Sequence, residues 1–179
     1  MEDRPKPTKH RVLSQCWSLH PHERWLIFPP IPKSQDFRAI PLVPHDRARV
    51  VDAFAGSGAL GIEALSRGAE HCTFIERDRE ALEVLRENLE TLGLVEKSTI
   101  VRGDVLTNVA LVRNASLVLA DPPYEFKQWR QFLSEVACDL VVAESDRDMN
   151  LELPAIIGWE VTRVKRYGRA YVSFLQRLA

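Results

Sequence analysis

Apolar residues in this chain follow two rhythms, and the change between them falls near residue 48. From Arg49 onward, compact apolar runs alternate with stretches of helical period. Arg49-Val50-Val51-Asp52-Ala53-Phe54 reads as a buried strand, followed by a glycine turn and a helix over about 59–67. Cys72-Thr73-Phe74-Ile75-Glu76 predicts a second strand. Leu82, Leu85, Leu89 and Leu92 then form one stripe of a helix over about 78–92, which Gly93 stops. Residues 98–102 and 117–120 predict a third and a fourth strand. A helix over about 127–136 leads to Leu140-Val141-Val142-Ala143 as the fifth. Two last runs, 159–166 and 170–177, flank Tyr167-Gly168-Arg169 and predict a hairpin. Strands alternating with helices need a mostly parallel sheet covered on both faces. The expected fold is therefore α/β and doubly wound (Rossmann-like), closed by an antiparallel pair.

Before residue 49 this rhythm is missing. Eight of the eleven prolines lie in residues 1–48, centred on Pro29-Pro30-Ile31-Pro32. Only the stretch from Thr8 to Leu19 has room for a helix, with Thr8 as its cap. Residues 21–44 read as an irregular arm, partly ordered by Trp25, Leu26, Ile27 and Phe28. The expected organisation is an arm over 1–48 and one regular domain over 49–179.

Composition narrows the class. With 45% hydrophobic and 27% charged residues the chain is a soluble globular protein, and no window approaches the ~20 apolar residues of a membrane span. The start lacks the apolar core of a secretion signal. Cys16, Cys72 and Cys138 are odd in number and form no Cys-x-x-Cys pair, so no disulfide or zinc site is expected and a cytoplasmic location fits. The expected state is a monomer without metal. Net charge is −1, but both ends are basic: residues 1–50 hold nine Lys/Arg against five Asp/Glu. In the tail, Arg163, Lys165, Arg166, Arg169 and Arg177 face Glu160 alone. The ends are either a phosphate-facing rim or an ordinary solvated surface.

The candidate chemistry gathers where strands end. Ligands of such sheets bind beyond the carboxyl ends of the strands, and Asp52, Glu76, Asp104 and Asp121 each fall at or just past one. Gly56-Ser57-Gly58-Ala59-Leu60-Gly61 matches G-x-G-x-x-G between a strand and a helix, a turn that brings backbone N–H groups against a ligand. Glu76, 20 residues past Gly56, suits two ribose hydroxyls; the blander reading is a solvated strand end. Asp52 just before the turn would repel a pyrophosphate and suits the cationic amino-acid end of S-adenosyl-L-methionine. Asp104 is placed for an adenine amino group, for a helix N-cap before Val105, or for both.

Asp121-Pro122-Pro123-Tyr124 follows the run 117–120 and carries the most specific signal. The acid and the Pro122 carbonyl can accept hydrogen bonds from an exocyclic amine, the prolines fix the backbone, and Tyr124 offers a stacking face. Such contacts hold a weakly nucleophilic base amine in line with a methyl donor and stabilise the positive charge that develops. The residues therefore point to methyl transfer from S-adenosyl-L-methionine to a base nitrogen, on a looped or single-stranded target. A strand-terminating turn is the alternative.

The run Val51-Asp52-Ala53-Phe54-Ala55-Gly56-Ser57-Gly58-Ala59-Leu60-Gly61-Ile62-Glu63-Ala64-Leu65-Ser66-Arg67-Gly68-Ala69 closely resembles the bacterial RsmD family. Phe74 to Asp78, Asn88-Leu89, Asp121 to Tyr124, Glu144 and Tyr167-Gly168 fall where that family has its later motifs. The resemblance covers about residues 49–179. It implies a class I methyltransferase fold with seven strands, and guanine-N2 methylation of small-subunit (16S) ribosomal RNA, free or in an assembling subunit. It also implies Asp121, Pro122 and Tyr124 as catalytic residues, with Asp52, Phe54, Gly56, Gly58, Glu76 and Asp104 at the cofactor. The N-terminus departs from the family's pattern. No glycine-rich hairpin is present, and in Lys6-Pro7-Thr8-Lys9-His10-Arg11-Val12-Leu13-Ser14 the positions of an acid and a glutamate are held by His10 and Ser14.

Other amine methyltransferases remain open, for DNA adenine N6, another RNA or a protein glutamine. DNA enzymes usually add a recognition domain, for which 179 residues leave no room, and the glutamine enzymes typically carry Asn in place of Asp121. An inactive binding paralogue had no reason to keep Asp121, Tyr124, Glu76 and the glycines. An NAD-dependent oxidoreductase has no use for Asp121 to Tyr124.

Overall fold

A computed structural model of the chain describes residues 48–152 and 158–178. All of the expected arm over 1–48 but Ala48, including its helix over 8–19 and the departures at His10 and Ser14, lies outside the described residues.

Seven strands form one sheet: β1 (Arg49–Asp52), β2 (His71–Glu76), β3 (Ser98–Arg102), β4 (Leu117–Ala120), β5 (Leu140–Ser145), β6 (Trp159–Tyr167) and β7 (Ala170–Arg177). Their order is β3-β2-β1-β4-β5-β7-β6. β1 to β5 pair in parallel, and β7 runs antiparallel between β5 and β6. The chain works outward from β1 to β3 and then returns to lay β4 on the other side of β1. The topological switch point, where such sheets bind ligands, therefore lies between β1 and β4.

Among the described residues the helices are α1 (Ala59–Ser66), α2 (Arg79–Thr91), α3 (Val105–Asn108), α4 (Trp129–Glu135) and α5 (Met149–Glu152). α2 has the expected stripe, with Leu82, Leu85 and Leu89 buried, an Asp78 cap accepting from the Ala81 N–H, and Gly93 just past its end at φ 66°. Alternation along each strand divides the core into two faces. Val51, Ile75 and Val118 pack toward α3 and α4, with Phe132 and Leu133. Val50, Phe74, Leu117 and Leu119 pack toward α1 and α2, with Ile62 and Leu85. Fully burying side chains of this size is worth about 1.5–3 kcal/mol each, which is why register is firmly set here.

Two strand ends differ by two residues from expectation. β1 ends at Asp52, because Ala53 and Phe54 already turn toward the glycine loop. β5 runs on to Ser145, because β7 supplies it with partners as far as Tyr171. The connection from β3 to β4 holds a short helix, α3, and a single 3-10 turn, Val109–Leu111. Among the described residues no helix is long and apolar enough to cross a membrane.

Candidate active site

The loop between β1 and α1 is pinned from three sides. Asp52, at the end of β1, accepts through Oδ2 from the Gly61 N–H (2.8 Å). Glu76, at the end of β2, accepts through Oε2 from the Gly56 N–H (2.7 Å). Asn88, buried on α2, donates through Nδ2 to the Ser57 carbonyl (2.9 Å). Gly58 caps α1 at φ 87°, and a Cβ there would overlap Leu85; one on Gly61 would overlap the Phe74 ring. Two of the three glycines thus serve the seating of α1 on the sheet, and Gly56 alone of them faces the cavity.

That cavity, of about 650 Å³, opens past the carboxyl ends of the strands at the switch point. Phe54, Ile75, Val105 and Leu106 give it an apolar wall. Glu76, Asp104, Asp121, Glu125 and Glu144 line it with carboxylates, against the Arg77 guanidinium. Such a field favours cationic and amine-bearing guests and disfavours a pyrophosphate.

The strand register sorts the acids by depth. Asp52 is level with Phe74 and with Leu119, so Glu76 and Asp121 stand two residues, about 7 Å, nearer the rim. Ala120 is level with Ala143, so Asp121 and Glu144 follow side by side. Glu76, Asp121 and Glu144 form one row across the rim; Asp52 lies beneath it. Asp52 is fully buried, has no place in the cavity wall, and is pushed up to about 7, first by burial. The expectation that it meets a ligand's amino group finds no support in this placement: its carboxylate is turned under the loop toward Gly61.

The rim acids differ among themselves. Glu76 already accepts from three backbone N–H groups, of Gly56, Arg77 and Asp78, which leaves its Oε2 one acceptor position. Asp104 caps α3, accepting from the Leu106 N–H (2.9 Å), and its second oxygen lies 3.7 Å from Arg77. Both sequence-level possibilities for Asp104 thus remain compatible, since the cap also lines the cavity. Burial pushes Asp121 up to about 6. Burial, and then the Asp121 charge, push Glu144 up to about 7.

Asp121 to Tyr124 form the far lip. Pro122 is buried, and Tyr124 is 56% exposed at the mouth, where its ring can cover a flat guest. The Phe126 N–H donates to the Pro123 carbonyl (2.8 Å), closing the turn. Phe126 then meets Phe54 and Trp129 edge to face, each at 5.1 Å between centroids. Phe54, expected at the cofactor, is thereby also a strut between the two loops.

The structure brings Phe54, Gly56, Glu76, Asp104, Asp121, Pro122 and Tyr124 to one cavity and leaves Asp52 and Gly58 outside its wall. The residue chemistry alone gave no role to Asn88, Phe126 or Glu144, although the family resemblance places Asn88 and Glu144 at its later motifs. Asn88 had a signal, a polar residue on an otherwise apolar helix stripe. Glu144 had one as well, an acid closing an apolar strand.

The profile of the family described as "Conserved hypothetical protein 95" matches residues 33–176. YlbH of Bacillus subtilis is 37% identical over 144 residues, 74% of this chain and 77% of that protein. Ribosomal RNA small subunit methyltransferase D of Haemophilus influenzae is 31% identical over 140 residues, 71% of each. The solved structure of yhhF from Escherichia coli superposes with a TM-score of 0.66 at 32% identity, covering 76% of this chain and 79% of that one.

Proposed function

The chain belongs to this family, the RsmD family of ribosomal RNA methyltransferases, and on that premise we propose that it transfers a methyl group from S-adenosyl-L-methionine to the exocyclic N2 amine of a guanine in small-subunit ribosomal RNA. One observation carries the reading. The glycine loop with Glu76 and the Asp121 lip stand on opposite sides of the switch point, level with each other, and share one acidic cavity.

The residues fit the cofactor. Glu76 offers its remaining acceptor position to a ribose hydroxyl, Phe54, Ile75, Val105 and Leu106 flank an adenine, and Asp104 reaches the adenine amino group. The surrounding carboxylates favour a positively charged guest. When bound, S-adenosyl-L-methionine supplies an electrophilic methyl on a cationic sulfur. The remaining work falls to the lip. Asp121 and the Pro122 carbonyl accept from the two amine hydrogens and fix the direction of the nitrogen lone pair, and Tyr124 stacks on the base. An ionised Asp121 also stabilises the charge developing on the nitrogen and stands ready for the proton that it sheds.

Because unstacking a paired base costs a few kcal/mol, the target is a looped or single-stranded guanine. The β6–β7 hairpin supports an RNA substrate. Its turn lies at the same end of the sheet as the cavity, since Tyr171 pairs with Ser145 at the end of β5. Arg163 and Arg166 lie over the rings of Phe174 and Tyr171, their cross-strand partners, at 5.8 and 5.3 Å. Stacking of this kind pre-orders a guanidinium for a phosphate.

The test is tritium transfer from labelled S-adenosyl-L-methionine to small subunits and to protein-free 16S RNA from cells lacking the gene. The expected result is label on a single guanine at N2, absent with Asp121→Ala although S-adenosylhomocysteine still binds. Label on another base or atom would overturn the reading.

A further inference from the structure

Glu144 stands in the same cavity as Asp121, on the neighbouring strand and at the same level, and neither the cofactor contacts nor the grip on the amine engages it. We propose that Glu144 reads the N1–H of the target guanine while Asp121 holds its N2 amine, which makes Glu144 a specificity-determining residue. The inference rests on the guanine-N2 reading and deepens it.

The geometry supplies two carboxylates from neighbouring strands, whose backbones run about 4.8 Å apart. Both line the same cavity, each one residue past the register partners Ala120 and Ala143, and the Asp121 charge is felt at Glu144. β5 continues through Glu144 to Ser145, paired to Val172 and Tyr171 of β7, so Glu144 is held by strand backbone rather than by a loop. A carboxylate placed this way is a rigid acceptor beside the acceptor that holds the amine.

Base chemistry then selects. In guanine the amine is flanked on one side by N1–H, a second donor. In adenine the amine is flanked by N1 without hydrogen, and in cytosine by N3 without hydrogen, both acceptors. Two adjacent carboxylates therefore pair with guanine and present a lone pair to a lone pair with adenine or cytosine. A site whose buried polar group is left unpaired by the wrong partner discriminates strongly. The elevated proton affinity of Glu144 has the same origin, a carboxyl partly withdrawn from water beside Asp121. An N–H donor arriving at that position satisfies it.

The experiment uses full-length protein at pH 8 and the RNA containing the guanine mapped by tritium transfer, synthesised with either guanine or 2-aminopurine at that position. 2-Aminopurine keeps the amine but has no hydrogen on N1. Wild type should prefer guanine by about 100-fold in kcat/KM, the size of a well-formed base contact. Glu144→Ala should bring the two substrates to within about threefold, chiefly by losing guanine activity, with S-adenosylhomocysteine affinity unchanged. Glu144→Gln, whose amide oxygen still accepts from N1–H but whose N–H can turn to the bare N1 of 2-aminopurine, should keep most guanine activity while losing much of the preference. Because 2-aminopurine also lacks O6, the change in ratio between variants is the measure, rather than the wild-type ratio alone. A Glu144→Ala enzyme that slows both substrates equally, or keeps the ratio, overturns the inference while the guanine-N2 reading stands. A wild type that labels no guanine overturns both.

Discussion

Asp52→Asn should flatten the pH dependence of stability. Asp52 is fully buried; one oxygen accepts from Gly61 and the other has no hydrogen-bond partner among the described residues. Its carboxyl is raised from 3.8 to about 7. The folded state therefore binds the proton more tightly than the unfolded chain does. The stability that this contributes is complete below pH 3.8 and is lost as the pH rises to about 7. Across that window, about 1.4 kcal/mol per pH unit amounts to about 4 kcal/mol, of which about 3 kcal/mol falls between pH 5 and pH 8. In a protein of this size, roughly 2–4 °C per kcal/mol makes that loss roughly 6–12 °C in Tm. Asparagine keeps an acceptor for the Gly61 N–H but buries an amide that lacks a partner, at about 1–3 kcal/mol independent of pH. The slope, not the offset, is thus diagnostic. Urea denaturation and thermal melting of both proteins from pH 5 to pH 8 read it directly; the raised carboxyl of Glu144 cancels in the difference, and Asp121, whose charge is a smaller cause of the rise at Asp52, adds only a minor share. Parallel curves for wild type and Asp52→Asn would refute the reasoning and mean that the carboxyl under the glycine loop is solvated.

Three further outcomes are expected. Glu76→Ala frees three backbone N–H groups and the loop they hold, so S-adenosylhomocysteine affinity measured by calorimetry should fall by about 10- to 100-fold, against little change in Asp121→Ala. Asn88→Ala orphans the Ser57 carbonyl and leaves a buried gap, and should cost about 1–3 kcal/mol in urea denaturation together with a loss of cofactor affinity. Arg163→Gln with Lys165→Gln should weaken RNA binding and lower its salt slope by about 0.7 for each phosphate that is no longer neutralised, leaving S-adenosylhomocysteine binding as it was; an unchanged slope would make the hairpin an ordinary solvated surface.

Strand and helix positions were legible because the sheet is covered on both faces. Short runs such as Leu117 to Ala120, buried throughout, can hardly be anything but central strands. The hairpin was legible because Gly168 takes a positive φ between two apolar runs. What escaped was set by partners far away in the chain. β5 could be followed only to Ala143, since its last two residues owe their strand conformation to Val172 and Tyr171. The aromatic strut of Phe54, Phe126 and Trp129 joins residues more than 70 positions apart, and no periodicity announces it. Within the site, residue types showed which acids end strands, but not which of those ends reach the surface of the cavity.

That last distinction separates the acids chemically. Period-two alternation places Asp52, Glu76, Asp121 and Glu144 on the same face of the sheet, where a sequence reading treats them as equals. Register does not: the pairing of Asp52 with Leu119 sinks it two residues below Asp121, whereas that of Ala120 with Ala143 brings Glu144 up beside it. The carboxylate beneath the rim accepts from Gly61 in the first turn of α1, and its burial raises its proton affinity. Carboxylates level with the floor meet whatever enters. The same residue type at the same kind of position thus becomes a support for the start of α1 at Asp52 and, in the proposed mechanism, a reader of the substrate at Asp121 and Glu144. The difference between the two is about 7 Å of strand length.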